Sequence, residues 1–112
     1  GSVNFVSAQN LQITNVGTWA ASKGGFAMFV VAKLNTNTTG VRTLTQSDTG
    51  GFQLQWNSGT FQTTAASGTG TATLTADTNW HIYTQLFDGS QTGNANRLKF
   101  RYDGVDKTLN FP

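Results

Sequence analysis

Cysteine and glutamate are both absent from this chain of 112 residues, and proline occurs once. The absence of cysteine excludes a disulfide framework and a cysteine-ligated metal site. Glutamate is a good helix former, whereas the abundant threonine favours strands and glycine favours turns. No run of 18 apolar residues occurs, so the sequence predicts no transmembrane helix. Together these absences favour an all-β domain.

Charged residues are also scarce. They make up 11% of the chain, against roughly 25% in ordinary soluble domains, so threonine, asparagine, glutamine, serine and glycine must supply the surface polarity. Such surfaces are common on extracellular and virion β-proteins, and we expect one of those two locations. The net charge of +2 is too small to predict a nucleic-acid partner. The length predicts one domain over residues 1–112, with Gly1-Ser2 typical of a scar left by tag removal.

Short apolar segments alternate with turn-forming clusters, which is the pattern of a sandwich or barrel. Residues 26–34 (FAMFVVAKL) are the most hydrophobic and are predicted to form a central strand covered on both faces. A helix over residues 19–33 is the alternative, which two glycines and Val30-Val31 disfavour. Residues 66–75 are predicted to be a loop or a weak edge strand. The other predicted strands are 3–6, 10–14, 41–46, a hairpin over 52–63, 79–87, 98–102 and 107–111.

Alternation assigns side chains to faces within the later strands. In residues 79–87, Trp80 shares one face with Ile82, and Trp80 is predicted to be a core residue. Tyr83 lies on the opposite face. In the strand from residue 98, the apolar and aromatic side chains point one way, and Arg97, Lys99 and Arg101 point the other way.

Three segments resemble a known family when taken in order: residues 25–33 (GFAMFVVAK), 77–83 (DTNWHIY) and 98–105 (LKFRYDGV). They are similar to strands of the laminin-G-like, concanavalin A-like jelly-roll family. The resemblance implies an antiparallel two-sheet β-sandwich of jelly-roll topology. Members mostly bind carbohydrates or proteins, some with a calcium ion at the rim and some in virion appendages, and related jelly rolls are glycoside hydrolases.

The chain departs from that family after its Asp103-Gly104 turn. Several more strands usually follow this turn, whereas this chain ends at Pro112. A missing strand leaves backbone donors and acceptors at a sheet edge, which invites pairing. We therefore expect a homo-oligomer or a partner chain that completes the sheets.

The residues needed for catalysis are not evident. Retaining glycosidases use two carboxylates about 5 Å apart, and the close acid pair here, Asp103 and Asp106, is typical of a turn. His81 is the single histidine and is interpreted as structural or surface-exposed. We expect a protein that is not an enzyme, with no cofactor. Calcium is weakly indicated by the loops at 47–49 and 88–90, because carboxylate and hydroxyl oxygens occur there.

Two groups are candidates for ligand binding. Trp56 lies beside Gln53, Gln55 and Asn57, a combination suited to stacking on a sugar ring and bonding its hydroxyls, with Tyr83 as a further aromatic; packing of Trp56 in the core or hairpin is the alternative. The basic stripe of Arg97, Lys99 and Arg101 suits an anionic ligand, or is simply a solvated face.

Two functions follow from these observations. One is a non-catalytic carbohydrate- or cell-surface-binding module of an extracellular or virion-associated protein. The other is a structural or assembly protein, such as a phage virion decoration or appendage subunit. We expect no insertion into a membrane in either case.

Overall fold

The computed structural model describes residues 24–36, 40–47, 51–66 and 68–112. The predicted strands at 3–6 and 10–14, and Trp19, lie outside these residues. The described strands are β1 (Gly25–Ala32), β2 (Val41–Gln46), β3 (Phe52–Asn57), β4 (Thr60–Ala65), β5 (Gly68–Ala72), β6 (His81–Asp88), β7 (Leu98–Tyr102) and β8 (Val105–Lys107), with one helical turn, α1 (Asn94–Arg97). The prediction of an all-β fold is confirmed.

The strands form two antiparallel sheets that pack together as a β-sandwich. Sheet A has the order β1-β6-β7-β8, and sheet B has the order β2-β3-β4-β5. Sheet B is thus a meander of consecutive strands, whereas sheet A is completed by chain that returns after sheet B. The predicted two-sheet antiparallel sandwich is therefore present in the described residues. None of their helices is long and apolar enough to span a membrane.

Two tight turns fix the register of the hairpins. Ser58 and Gly59, between β3 and β4, both have positive φ, at 48° and 86°. Asp103 and Gly104, between β7 and β8, do the same at 52° and 79°. Two successive positive-φ residues define a type I′ turn, whose twist matches that of paired strands. The predicted hairpin over residues 52–63 and the predicted turn at Asp103-Gly104 are confirmed.

The inner faces of both sheets meet in an aromatic core. The Phe61 ring stacks on Tyr83 at 5.3 Å between ring centroids and on Phe100 at 4.6 Å, and it meets the edge of Trp56 at 5.4 Å. Phe61 comes from sheet B, while Tyr83 and Phe100 come from sheet A, so these stacks join the sheets. Leu34, Leu54 and Ala72 complete this buried cluster.

The prediction of a strand within residues 26–34 is confirmed, but the prediction that both of its faces are covered is wrong. β1 is a strand, not a helix, but Phe29 is 69% exposed and Val31 is 63% exposed. Met28 and Val30, which alternate with them, pack against the core. One face of β1 is therefore buried and the other is open, and among the described residues β1 pairs only with β6.

The prediction that Trp80 is a core residue is also wrong, because β6 buries its other face. Trp80 is 53% exposed, whereas Tyr83 and Gln85 are buried. Gln85 is accommodated because its amide nitrogen donates to the Thr63 hydroxyl at 2.6 Å and to the Thr64 carbonyl at 2.7 Å. Sheet B therefore satisfies the amide nitrogen of this inward-facing glutamine, whereas its amide oxygen is buried with no hydrogen-bond partner among the described residues.

The end of the chain crosses from one sheet to the other. After β8, Asn110 and Thr71 exchange two backbone hydrogen bonds of 2.9 Å each, so residue 110 pairs with the outer edge of β5. Residues 66–75, predicted as a loop or weak edge strand, contain β5. The predicted last strand at 107–111 overlaps only the end of β8 and this bridge.

Candidate binding surfaces

The outward side of sheet B is an uncharged surface, which we call the amide face. Its side chains form two rows that each cross four strands. The first row is Gln46, Gln53, Thr64 and Thr69; the second row is Thr43, Gln55, Gln62 and Thr71; Asn57 lies beyond the second row. Alternation along β3 and β4 produces these rows. Phe52, Leu54 and Trp56 of β3 and Phe61 of β4 face the core, so the residues between them face outward.

Neighbouring side chains of the amide face bond to one another. The Gln55 amide nitrogen donates to the Gln62 amide oxygen at 2.7 Å, and the Gln53 nitrogen donates to the Gln46 oxygen at 3.0 Å. The hydroxyls of Thr64 and Thr69 lie 3.0 Å apart. Each amide has two donor hydrogens and one acceptor oxygen, so one lateral bond holds a side chain in place and leaves capacity for a ligand.

The predicted group around Trp56 is divided between two layers. Gln53, Gln55 and Asn57 lie together on the amide face, as their spacing predicts. Trp56 is 3% exposed and Tyr83 is 1% exposed, and the Trp56 indole nitrogen donates to the Tyr83 hydroxyl across the core at 3.4 Å. Neither aromatic therefore presents a ring to a surface ligand, and the core interpretation of Trp56 is confirmed.

The outward side of sheet A differs in chemistry, and we call it the apolar face. Phe29 and Val31 of β1 lie beside Ile82 of β6, with Val31 directly opposite Ile82. Trp80 continues the same side just before β6, with the Lys33 ammonium 5.5 Å from its ring centroid. Contiguous exposed apolar side chains of this kind commonly mark an interaction surface.

The three basic residues of the predicted stripe differ in the contacts that their side chains make. Lys99 and Arg101 are exposed beside the apolar face, as alternation predicts. The Arg101 guanidinium pairs with Asp106 at 2.6 Å, and the Lys99 ammonium donates to the Ala95 carbonyl at 2.6 Å. The Arg97 guanidinium lies over the Phe87 ring at 5.0 Å. Lys99 and Arg101 thus have polar partners within the chain, so they are less available to an anion than their spacing alone indicates, whereas Arg97 Nε is buried with no hydrogen-bond partner among the described residues.

A histidine held between two aspartates stands at one end of sheet A. His81 Nδ1 lies 2.7 Å from Asp103 Oδ2, and His81 Nε2 lies 2.8 Å from Asp77 Oδ1. Ionised carboxylates only accept hydrogen bonds, so both contacts are hydrogen bonds at the same time only when the ring is in its imidazolium form. The ring also stacks on Tyr102 at 4.5 Å. We call these three residues the histidine clamp.

The clamp shifts the pKa values of its members. Burial acts to lower the pKa of His81, but the hydrogen bonds to Asp103 and Asp77 outweigh it, and the pKa rises above its usual 6.5. The pKa of Asp77 is lowered, chiefly by the hydrogen bond from His81. The pKa of Asp103 is lowered first by the Ile82 backbone N–H and then by His81. Each shift favours the charged form of its group.

These contacts indicate structural roles for the residues that the sequence analysis considered as catalytic or calcium-binding candidates. His81 has a carboxylate on each nitrogen, so neither nitrogen is placed to take a proton from a substrate. The Asp88 carboxylate accepts from the Ser90 backbone N–H at 2.9 Å and from its hydroxyl at 2.6 Å, as in an Asx turn. Asp48 lies outside the described residues. Within them, no three histidine or acidic side chains are grouped so as to hold a metal ion.

Sequence reasoning missed the exposure of Trp80 and the histidine clamp. Residues 79–87 carry large apolar side chains on both faces, so alternation cannot select the buried one. The signal lies in the partner strand: Phe100 faces inward on β7 and is opposite Gln85, and residues directly opposite share a face. The register was needed before that signal could be used.

No protein-family model, curated protein or solved structure matches this chain. The resemblance to laminin-G-like jelly rolls therefore remains a prediction, and the two faces are interpreted from their own chemistry.

Proposed function

We propose that this domain is a non-catalytic carbohydrate-binding module of an extracellular or virion-associated protein, and that the amide face is its binding surface. The observation that carries the proposal is the pair of uncharged rows across sheet B, which hold the predicted residues Gln53 and Gln55. Sugar hydroxyls are both donors and acceptors, and amides and threonine hydroxyls match them in both roles.

The lateral bonds support this assignment because they reduce the entropy lost on binding. A long polar side chain that is immobilised by a ligand costs about 0.5–1.5 kcal/mol. Gln55 and Gln62 are already held against each other at 2.7 Å, so part of that cost is met in folding. A flat surface of two parallel rows suits an extended polysaccharide chain better than a single small sugar.

A non-catalytic role is supported by the state of the acidic residues and of His81. Asp103 accepts from the Ile82 backbone N–H at 2.9 Å as well as from His81. Asp106 is paired with Arg101 on the edge strand β8. The Asp103 carboxylate thus holds the turn and His81, and the Asp106 carboxylate is engaged in an ion pair.

The test is binding of the full chain to immobilised neutral polysaccharides, with the Gln55→Ala/Gln62→Ala double variant against the Lys99→Gln/Arg101→Gln double variant. The first removes the centre of the amide face, and the second changes the opposite side of the sandwich. We expect the first variant to weaken binding about tenfold or more, since each lost hydrogen bond is worth about 1 kcal/mol. The second should bind like the parent.

Ionic strength distinguishes the two faces further. Binding through uncharged amides should change little between low and high salt, because screening acts on charges. Binding that falls with salt and is lost only in the Lys99→Gln/Arg101→Gln variant would contradict the proposal and favour an anionic ligand on the basic stripe. Absence of binding to every neutral polysaccharide would also contradict it.

A structural or assembly role is the second candidate, and the exposed apolar face favours it. Phe29, Val31 and Ile82 are costly to leave in water, and burial against another chain would recover about 25 cal/mol for each Å² of apolar surface. Such a subunit need bind no carbohydrate at all. Both roles are compatible in one appendage, since the two faces lie on opposite sides of the sandwich.

A further inference from the structure

The four edges of the described sheets are protected to different degrees. Unpaired edge strands tend to pair with other chains, and natural proteins prevent this with short strands, charges, bulges or covering segments. β8 has three residues, of which Asp106 and Lys107 are charged. β2 has a register shift between Thr43 and Thr45 and carries Arg42. β5 is covered in part by the bridge to Asn110.

None of these protections is found at β1 in the part of the chain that the structure describes. It is eight residues long, its sequence GFAMFVVA contains no charge and no proline, and its register with β6 is unbroken. Within the described residues its only neighbour is β6. A long, uncharged, apolar edge strand is the type that pairs with another strand.

The register shows which backbone groups of β1 point away from β6. Opposite residues in an antiparallel pair alternate between those that exchange two hydrogen bonds and those that exchange none. The Gly89 N–H donates to the Gly24 carbonyl, which places a bonded pair one step before the pair Gly25 and Asp88. The alternation continues along the strand, so the N–H and C=O groups directed outward belong to Gly25, Ala27, Phe29 and Val31.

The other side of β6 agrees with this phase. The Asp103 N–H donates to the Ile82 carbonyl at 2.9 Å, so Ile82 directs its backbone toward β7 rather than toward β1. Its opposite residue on β1, Val31, must therefore direct its own backbone groups outward. The same residue has an exposed side chain, so a strand added at this edge would gain hydrogen bonds and apolar contact together.

We propose that β1 pairs antiparallel with β1 of a second copy of this chain, about a two-fold axis at Met28, to give a continuous eight-stranded sheet. In this register Gly25 lies opposite Val31 of the second copy, and Ala27 lies opposite Phe29 of the second copy. All four residues with outward backbone groups are then bonded. Each small side chain faces a large one, so the edge is complementary to itself, as a two-fold interface requires.

The absence of charge supports a second copy as the occupant. Any charge on β1 would meet its own copy near the axis and repel it, and β1 carries none. The paired strands would also join the two apolar faces, since Phe29 and Val31 of both copies lie on the same side of the new sheet. The dimer rests on sheet A alone, so glycan binding by the amide face can fail while the dimer stands, and the reverse.

Light scattering after size exclusion measures the mass of the full chain over a range of concentrations. The chain mass is 12.0 kDa, and we expect a species of twice that mass. Phe29→Lys places like charges near the axis, and Ala27→Pro removes an outward N–H without removing a bond to β6. Both should weaken the dimer about tenfold or more. Val105→Lys, on the opposite edge of sheet A, is the matched control and should leave it intact.

Oxidative cross-linking tests the register, because the chain contains no cysteine of its own. Met28 faces its own copy in a non-bonded pair, where Cα atoms are about 4.5 Å apart, a spacing that a disulfide can span. The Met28→Cys variant should form a covalent dimer rapidly, and the Val105→Cys variant should not.

Three outcomes would overturn the proposal. One is a monomer at every concentration, which would mean that the outward backbone groups of β1 are hydrogen-bonded within one chain or by water. Another is a dimer that survives both Phe29→Lys and Ala27→Pro with unchanged affinity. The third is a dimer in which the Met28→Cys variant cross-links no faster than the Val105→Cys variant.

Discussion

The amide face and the apolar face belong to the same sandwich, share one core and differ in almost every surface property. The amide face is uncharged, and its side chains satisfy one another through short lateral hydrogen bonds. The apolar face exposes large hydrophobic side chains beside cations that are tied to single partners. The proposed ligand of the first face is rich in hydroxyl groups, and the proposed partner of the second face is another protein surface.

The comparison teaches that low charge does not make a surface uniform. Threonine, glutamine and asparagine are concentrated on β3 to β5, where every second residue turns outward. On β1 the sequence is apolar on both parities, so the outward parity remains apolar. The proposed binding role of one face and the proposed assembly role of the other rest on this distribution, and three predictions test its physical basis.

The largest loss of stability is expected from a substitution in the core that lies between the two faces. Phe61 of sheet B is fully buried, stacks on Tyr83 and Phe100 of sheet A and meets the edge of Trp56 in its own sheet. Phe61→Ala should lower the free energy of unfolding by about 3–5 kcal/mol, through lost transfer energy and a cavity. Urea unfolding should be followed by circular dichroism and by tryptophan fluorescence, which report on backbone and side-chain packing.

The two probes should give one coincident transition in the parent and in Phe61→Ala. Separate transitions would show that the sheets unfold independently, which would contradict the statement that the two faces share one core. Val105→Ala is a suitable control, because an apolar side chain is removed from an exposed position on β8, away from the proposed dimer edge, and it should cost far less.

A smaller effect concerns pH and is confined to the end of sheet A. His81 has a raised pKa, so its stabilising contribution is complete below about 6.5 and is lost as pH rises through the higher folded value. Asp77 and Asp103 have lowered pKa values, so their contributions are present above about 3.8 and are lost as pH falls through the lower folded values. The clamp is therefore strongest between these limits.

The measurement is urea unfolding at pH 5.5 and pH 8.5 for the parent and for His81→Gln. The parent should be more stable at the lower pH, and His81→Gln should reduce that difference and cost about 1 kcal/mol at pH 5.5, the worth of partly exposed charged hydrogen bonds. An equal pH dependence in both proteins would contradict the clamp. The amide face contributes nothing to this profile because none of its side chains titrates.

The smallest effect concerns the cation on Trp80. Lys33→Gln removes the ammonium that lies 5.5 Å from the ring centroid, and an exposed contact of this kind is worth about 0.5 kcal/mol. Chemical denaturation should show a loss of about that size, with Lys107→Gln as the control for removal of one positive charge. An equal loss in both variants would mean that net charge, rather than the ring contact, sets the effect.

Much of the fold was predictable because its signals are local. Alternation and turn residues located β2, the β3–β4 hairpin, β6 and β7, and the Asn57-Ser58-Gly59 and Asp103-Gly104 sequences located their turns. The same alternation placed Gln53, Gln55 and Asn57 together on one side of β3. It could not show that Trp56, of the opposite parity, is covered by the second sheet, because that depends on Tyr83 and Phe61 from other strands.

Sequence by itself determined which residues share a side of each strand, since a period of two is a property of the extended backbone. Only the tertiary structure decided which side of β6 is buried. Tyr83 and Gln85 are buried, rather than Trp80 and Ile82, because sheet B provides partners on that side. Phe61 stacks on Tyr83, and Thr63 and Thr64 accept hydrogen bonds from Gln85. Those partners are about 20 residues away in sequence and are brought near only when the two sheets pack.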